Sequence, residues 1–170
     1  MKIFGPKSIS TYLFYFVCIS TLALGIFTGY VVFSFATGNF ESLDGRYKMN
    51  IPFLGTYIHG EHKTNVFITI SIGLLFATIF LYMLSNIFET FKRETLFTEI
   101  AVKRMNDFAL INLIGSPVLY ILIHFIIMKH NHYRDIHNPI IHVILGLLIL
   151  YGTAVFRRGF KVQSEHDLTI

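Results

Sequence analysis

Charge is scarce in this chain and cysteine almost absent. Only 14% of its 170 residues are charged, there is one cysteine, and tryptophan is missing altogether. The lone Cys18 excludes disulfides and Cys-based metal or redox motifs, and its place inside an apolar run makes it a helix- or lipid-facing packing residue. What the chain has instead is oil. Hydrophobic residues reach 54% and the mean hydropathy is +0.60, more apolar surface than a soluble domain of this length hides in one core. The lipid bilayer is the solvent such a composition requires. The net charge of +4 is no nucleic-acid footprint, because the basic residues are dispersed at the ends of oily segments, where they set membrane orientation. Direct nucleic-acid binding is therefore not expected.

Four apolar runs stand out, at Thr11–Phe35, Asn65–Phe88, Phe108–Met128 and Ile140–Phe156. A spanning helix needs about 20 apolar residues, so the first three qualify and the fourth is at the short limit. Arg157 and Arg158 extend it by snorkelling, and Asn138 and Pro139 mark its start as N-cap and first helical residue. The expected fold is all-α: a four-helix transmembrane bundle forming one integral membrane domain over residues 1–170. A charged tail occupies 157–170. No run contains Asp, Glu, Lys or Arg in its body, which argues against an ion pathway built on buried carboxylates.

Basic residues orient the chain. With the N-terminus in the cytoplasm, Lys2, Lys7, Lys92, Arg93, Lys103, Arg104, Arg157, Arg158 and Lys161 lie inside, against Arg46, Lys48, Lys63, Lys129 and Arg134 outside. Nine against five favours both termini inside. Run one is too long for the roughly 7–15-residue core of a signal peptide and reads as an uncleaved first helix.

Within the runs the signals are of packing. Gly25 and Gly29 form a GxxxG that allows close helix approach, either within the chain or in a homo-oligomer. Pro117, in Gly115-Ser116-Pro117, predicts a kink in run three, read as a static packing feature. Between runs one and two, Tyr47, Met49, Ile51 and Phe53 alternate with polar or small neighbours, predicting a short external hairpin.

Histidine is the compositional oddity. Seven of the eight histidines fall on the outer side under this orientation: His59, His62, His124, His130, His132, His137 and His142. His130, His132, His137 and His142 are candidates for an outward metal site or pH sensor, since imidazole ligates metals and titrates near neutrality. The bland alternative is a set of interfacial histidines in the headgroup zone; for an enzyme, His124 and His142 are placed to meet at the outer boundary. No paired carboxylates, Ser/His/Asp order or phosphate-cradling loop accompanies them, so no enzyme and no cofactor are expected. For a small transporter the polar groups in view are hydroxyls, Asn86 near a run end and Ser116 beside Pro117, thin material for a substrate site.

The segment FKRETLFTEIAVKRMNDF, residues 91–108, has more pattern. Thr98 is a fit N-cap, Glu99 suits the positive helix end, and Phe97, Ala101, Met105 and Phe108 share one side. Lys103 and Arg104 point elsewhere, toward phosphate headgroups or a partner, so the loop is a short amphipathic helix running into run three.

The aromatic-Thr-Glu start at Phe97, Thr98 and Glu99, followed by Val102-Lys103-Arg104-Met105, resembles the DUF2975 family of bacterial multi-pass membrane proteins. So does the ending, with Phe156, Gly159 and Glu165-His166-Asp167-Leu168-Thr169-Ile170. Leu96 stands where the family often has proline, and Ile100-Ala101 where it has a Glu-Asn pair. The resemblance implies no settled activity. It implies a location in the bacterial cytoplasmic membrane and a cytoplasmic partner, a small helix-turn-helix regulator often encoded beside such proteins. On that reading Phe97, Thr98, Lys103, Arg104, Glu165, Asp167, Leu168, Thr169 and Ile170 form a docking surface, the acidic groups facing a basic partner and Leu168 and Ile170 anchoring it. The function expected is regulatory or scaffolding, with transport or outward metal or pH sensing as the alternative.

Overall fold

The computed structural model describes residues 2–52, 55–133 and 135–167, of His166 and Asp167 the backbone only. Four helices are long and apolar enough to cross a membrane. They are α1 (Ile9–Thr37), α2 (Thr64–Phe91), α3 (Glu99–Ile127) and α4 (His137–Asp167). A three-stranded antiparallel sheet in the order β1 (Glu41–Leu43), β2 (Arg46–Ile51), β3 (Thr56–Glu61) separates α1 from α2. The helices alternate in direction. Both described ends and the α2–α3 loop lie on one side of the bundle, and the sheet and the α3–α4 connection on the other.

The sides of the bundle are turned inside out relative to a soluble protein. Tyr12, Phe16, Ile19, Leu22 and Ile26 project from α1 with more than half their surface exposed, as do Ile114 and Val118 on α3 and Leu147, Leu148 and Tyr151 on α4. Small polar side chains are buried: Ser10, Thr28, Ser34, Ser85, Thr90, Ser116 and Thr153. In lipid a hydroxyl is satisfied by a carbonyl one turn back or by a neighbouring helix. Thr28 does both, donating to the Leu24 carbonyl at 2.7 Å and lying 3.1 Å from the Thr78 hydroxyl of α2.

Gly25 contributes to the same contact, since a Cβ there would lie 3.7 Å from Thr78 Cγ2, in ordinary packing. Gly29 does not: a Cβ added to it meets nothing within 4 Å. Only the first glycine of the pair therefore serves the α1–α2 contact. The closer approach is between α3 and α4. At Gly146 a Cβ would lie 3.0 Å from the Ala109 carbonyl oxygen and 2.7 Å from Leu113 Cγ, and at Gly159 it would be 2.6 Å from the Phe97 ring. These glycines set the spacing of the second helix pair.

Pro117 is accommodated by widened turns. Residues Ile111–Gly115 and Leu122–Ile127 are π-helical, flanking the α-helical turn Ser116–Ile121 that holds the proline. Proline lacks an N–H and its ring collides with the carbonyl four residues back in a regular helix; widening the preceding turn relieves that collision. The irregularity expected at Gly115-Ser116-Pro117 is thus realised as a π turn.

Outside the bundle, the sequence-predicted hairpin is a three-stranded meander. Asp44 and Gly45 both have positive φ, 50° and 71°, the type I′ geometry that joins two right-twisted strands. Tyr47 and Met49 are buried by the alternation of β2 and pack with Val31 of α1; Ile51 is half-buried, and Phe53 lies outside the described residues. The Tyr47 ring is ringed by Phe35, Phe40 and Phe67 at centroid distances of 5.5, 6.0 and 5.1 Å. It crosses its strand partner Gly60, where a Cβ would be 2.8 Å from the ring. Burial raises the Tyr47 phenol above its usual pKa, and the Lys63 ammonium at 2.7 Å holds the exposed Glu61 carboxylate below its own.

The α3–α4 spacing yields a paired expectation. Gly146→Val is expected to destabilise the protein by about 1–3 kcal/mol through overpacking against backbone, lowering the detergent melting temperature by about 2–4 °C per kcal/mol. Gly29→Ala, facing open space, is expected to leave that temperature unchanged or raise it.

Candidate functional site

Two places gather chemistry. The first is the side carrying the termini. Thr98 caps α3 as the sequence predicts, its hydroxyl accepting from the Ala101 N–H at 3.1 Å, and Glu99 occupies the first turn. Ala101, Met105 and Phe108 are buried on the inward side of α3. Phe97 turns inward with them. Its ring lies 5.2 Å from that of Phe156 and fills the space over Gly159.

Arg104, expected to face a partner or a phosphate, is bound within the chain. Its guanidinium donates to Glu89 at 2.7 Å and to the Asn86 carbonyl at 2.9 Å, while Arg93 takes the other Glu89 oxygen at 2.9 Å. One carboxylate at the end of α2 thus gathers two guanidiniums and ties α2 to α3. Lys92 lies 3.6 Å from the Phe14 ring centroid, a cation–π contact that links α2 to α1. Lys103 is left exposed. Glu89 is the residue sequence reasoning misses here, although Glu89 and Arg93 stand at the i, i+4 spacing that signals a helical ion pair.

The expected charged tail is helical. α4 runs on past Phe156 through Asp167, and Glu165 lies 3.9 Å from Lys161, one turn back. Leu168, Thr169 and Ile170 lie outside the described residues, as does the side chain of Asp167.

The second place is inside the bundle. Asn112, in the first π turn of α3, is fully buried. Its amide nitrogen donates to the Phe108 carbonyl at 2.8 Å, which leaves its oxygen facing His142 Nδ1 at 2.7 Å. His142 is therefore the donor, carrying a proton on Nδ1. The imidazole lies edge-on between Phe76 and Phe80 of α2, at 5.8 and 5.4 Å. Asn112, His142 and the two phenylalanines thus join α2, α3 and α4 through one polar contact. Asn112 is also missed by sequence reasoning: an amide in the middle of an apolar run was the available signal.

This contact separates the histidines proposed to act together. His142 is drawn inward to Asn112, whereas His124, in the second π turn, donates through Nε2 to the His132 carbonyl at 2.5 Å and packs on the His130 ring at 4.8 Å. His124 and His142 do not pair with each other. His130, His132 and His137 are exposed. Among the described residues no three His, Cys, Asp or Glu side chains are placed to hold a metal ion. What this arrangement does is fasten the α3–α4 connection to the end of α3.

Two measurements check these assignments. Arg104→Ala is expected to lower the detergent melting temperature, because it leaves Glu89 with one guanidinium, while Lys103→Ala leaves it unchanged. A double-mutant cycle on Asn112→Ala and His142→Ala is expected to give a coupling of about 0.6–1.7 kcal/mol, from the average to the maximum measured for interhelical hydrogen bonds in a membrane protein; zero coupling would mean that the contact adds nothing.

No curated protein and no solved structure matches this chain. A family model described as "Protein of unknown function (DUF2975)" matches residues 9–170. That span takes in the helices, the sheet, the Thr98-capped start of α3 and the whole of α4, and by it the chain belongs to the DUF2975 family.

Proposed function

We propose that the protein is a regulatory or scaffolding component of the cytoplasmic membrane, with both termini in the cytoplasm, and that its terminus-bearing side docks a soluble regulator. The observation that carries this reading is the continuation of α4 beyond the apolar run. At about 1.5 Å per residue the 31-residue helix is about 46 Å long, against roughly 30 Å of hydrocarbon. Its apolar part ends at Phe156, so the surplus projects into water on the side of the termini. There it presents Arg157, Arg158, Lys161, Val162 and Glu165, and Val162 is 66% exposed without a helix against it.

A helical projection is suited to holding a protein partner, because a preformed helix loses less ordering entropy on docking than a coil. The internal use of Phe97 and Arg104 moves the docking surface away from the start of α3 and onto α4. The partner class is the small helix-turn-helix regulator implied by the family resemblance. Orientation rests on the nine-to-five excess of basic residues on this side. A binding role is favoured over catalysis, since the half-buried His142 is paired with the Asn112 amide and, among the described residues, has no carboxylate or nucleophile bonded to it.

Pull-down of the full-length protein and of a chain truncated after Phe160 tests the reading. Recovery of a helix-turn-helix protein with the full chain alone is the expected result, and recovery with neither would overturn it. For orientation, a fluorescent protein fused after Ile170 is expected to fluoresce, and alkaline phosphatase inserted at Asp44-Gly45 is expected to be active.

A further inference from the structure

Where the start of α3 meets α4 just past Phe156, the two helices leave a cleft of about 500 Å³ whose lining includes Glu99, Ile100, Lys103, Asn106, Arg157 and Phe160. Its depth relative to the bilayer follows from the apolar runs. Lys103 lies five residues before Phe108, where the apolar run of α3 begins, and Arg157 directly follows Phe156, where that of α4 ends. At about 1.5 Å per residue both cations fall within about 8 Å of the hydrocarbon boundary, in the headgroup layer.

These two cations differ from most others on this side; Arg158 is likewise paired with no carboxylate among the described residues, but it does not line the cleft. Arg93 and Arg104 share Glu89, Lys92 sits over Phe14, and Lys161 is near Glu165. Among the described residues Lys103 and Arg157 are paired with no carboxylate, although Glu99 lies one turn from Lys103 on the same lining. Residues four apart on a helix are about 5–6 Å apart at Cβ, comparable to the separation of phosphate and amine across a two-carbon linker. The cleft therefore offers two cations, a nearby carboxylate, an amide and an apolar wall.

We propose that this cleft binds a phospholipid of the phosphoethanolamine class, with its phosphate between Lys103 and Arg157, its primary ammonium on Glu99 toward water, and its acyl chains running the other way, into the hydrocarbon beside Phe108 and Phe156. Guanidinium and ammonium groups together match a phosphodiester. Glu99 accepts a hydrogen bond from a primary ammonium, which a quaternary choline cannot donate, and it repels a purely anionic headgroup. The depth of both cations, in the headgroup layer, favours a lipid over a free phosphate ester. Because α3 and α4 both contribute, occupancy bridges the two helices at the base of the projecting segment.

Native mass spectrometry of the full chain in detergent, with equimolar phosphatidylethanolamine, phosphatidylglycerol and phosphatidylcholine of matched chains, tests the site. Phosphatidylethanolamine is expected to be retained about fivefold over the other two, the scale of one partly exposed charge pair. K103Q/R157Q is expected to lose the lipid adducts, K103R/R157K to keep them, and K161Q, outside the cleft, to match the parent. E99Q is expected to abolish the preference for ethanolamine over choline while still binding phospholipid.

Equal or better retention of phosphatidylglycerol, or undiminished binding by K103Q/R157Q, would overturn the proposal. An unchanged preference in E99Q would overturn the ammonium assignment, and displacement by soluble glycerophosphoethanolamine as readily as by lipid would overturn the lipid assignment. Size-exclusion profiles and melting temperatures matching the parent show that the variants are folded. The purified chain carries no soluble partner, so lipid selectivity and partner recovery succeed or fail separately.

Discussion

Lipid removes the force that holds a soluble bundle together, because an exposed leucine in hydrocarbon is as well solvated as a buried one. What remains is close packing and the need of every polar group for a partner within the chain. The structure answers with glycines where backbones approach and with polar groups turned inward. Gly146 places α4 against the Ala109 carbonyl of α3, and Thr28 meets Thr78 across α1 and α2. Asn112 and His142 join the two halves next to α2.

The same constraint explains the ends of the bundle. On the terminus side Glu89 holds Arg93 and Arg104, so α2 and α3 are clamped where the hydrocarbon stops. Phe97 covers Gly159 and joins Phe156, closing the base of α3 onto α4. On the opposite side the aromatic cluster of Phe35, Phe40, Tyr47 and Phe67 seats the sheet on α1 and α2. The α3–α4 connection is fastened by His124. Among the described residues, the charge left without a carboxylate after this closure, on Lys103, Arg157 and Arg158, is the charge available to lipid and partner.

Legibility followed periodicity and length. The four spans, the Thr98 cap, the buried Ala101, Met105 and Phe108, and the alternation that buries Tyr47 and Met49 could all be read locally, because each depends on neighbours within a turn or a strand. The additional strand, β1, was signalled by Asp44-Gly45, a dipeptide suited to a type I′ turn, yet passed unread. Pro117 announced an irregularity without specifying a π turn, since a widened turn and a sharp kink both relieve the proline ring. Gly29 had the right spacing for packing and faces no neighbour, because spacing gives the side of a helix and not what stands beside it.

By itself, the sequence determined that the chain has four helices long and apolar enough to cross a bilayer and that Thr98 caps the third. These are consequences of composition and of short-range geometry. The Asn138 cap was misplaced, because the last helix already begins at His137. Only the tertiary structure decided which charges and imidazoles are spent internally. Arg104 is consumed by Glu89, 15 positions away, and His142 by Asn112, 30 positions away. Such pairings depend on how antiparallel helices register against one another, and in lipid that register is set by glycine contacts and polar satisfaction across the bundle.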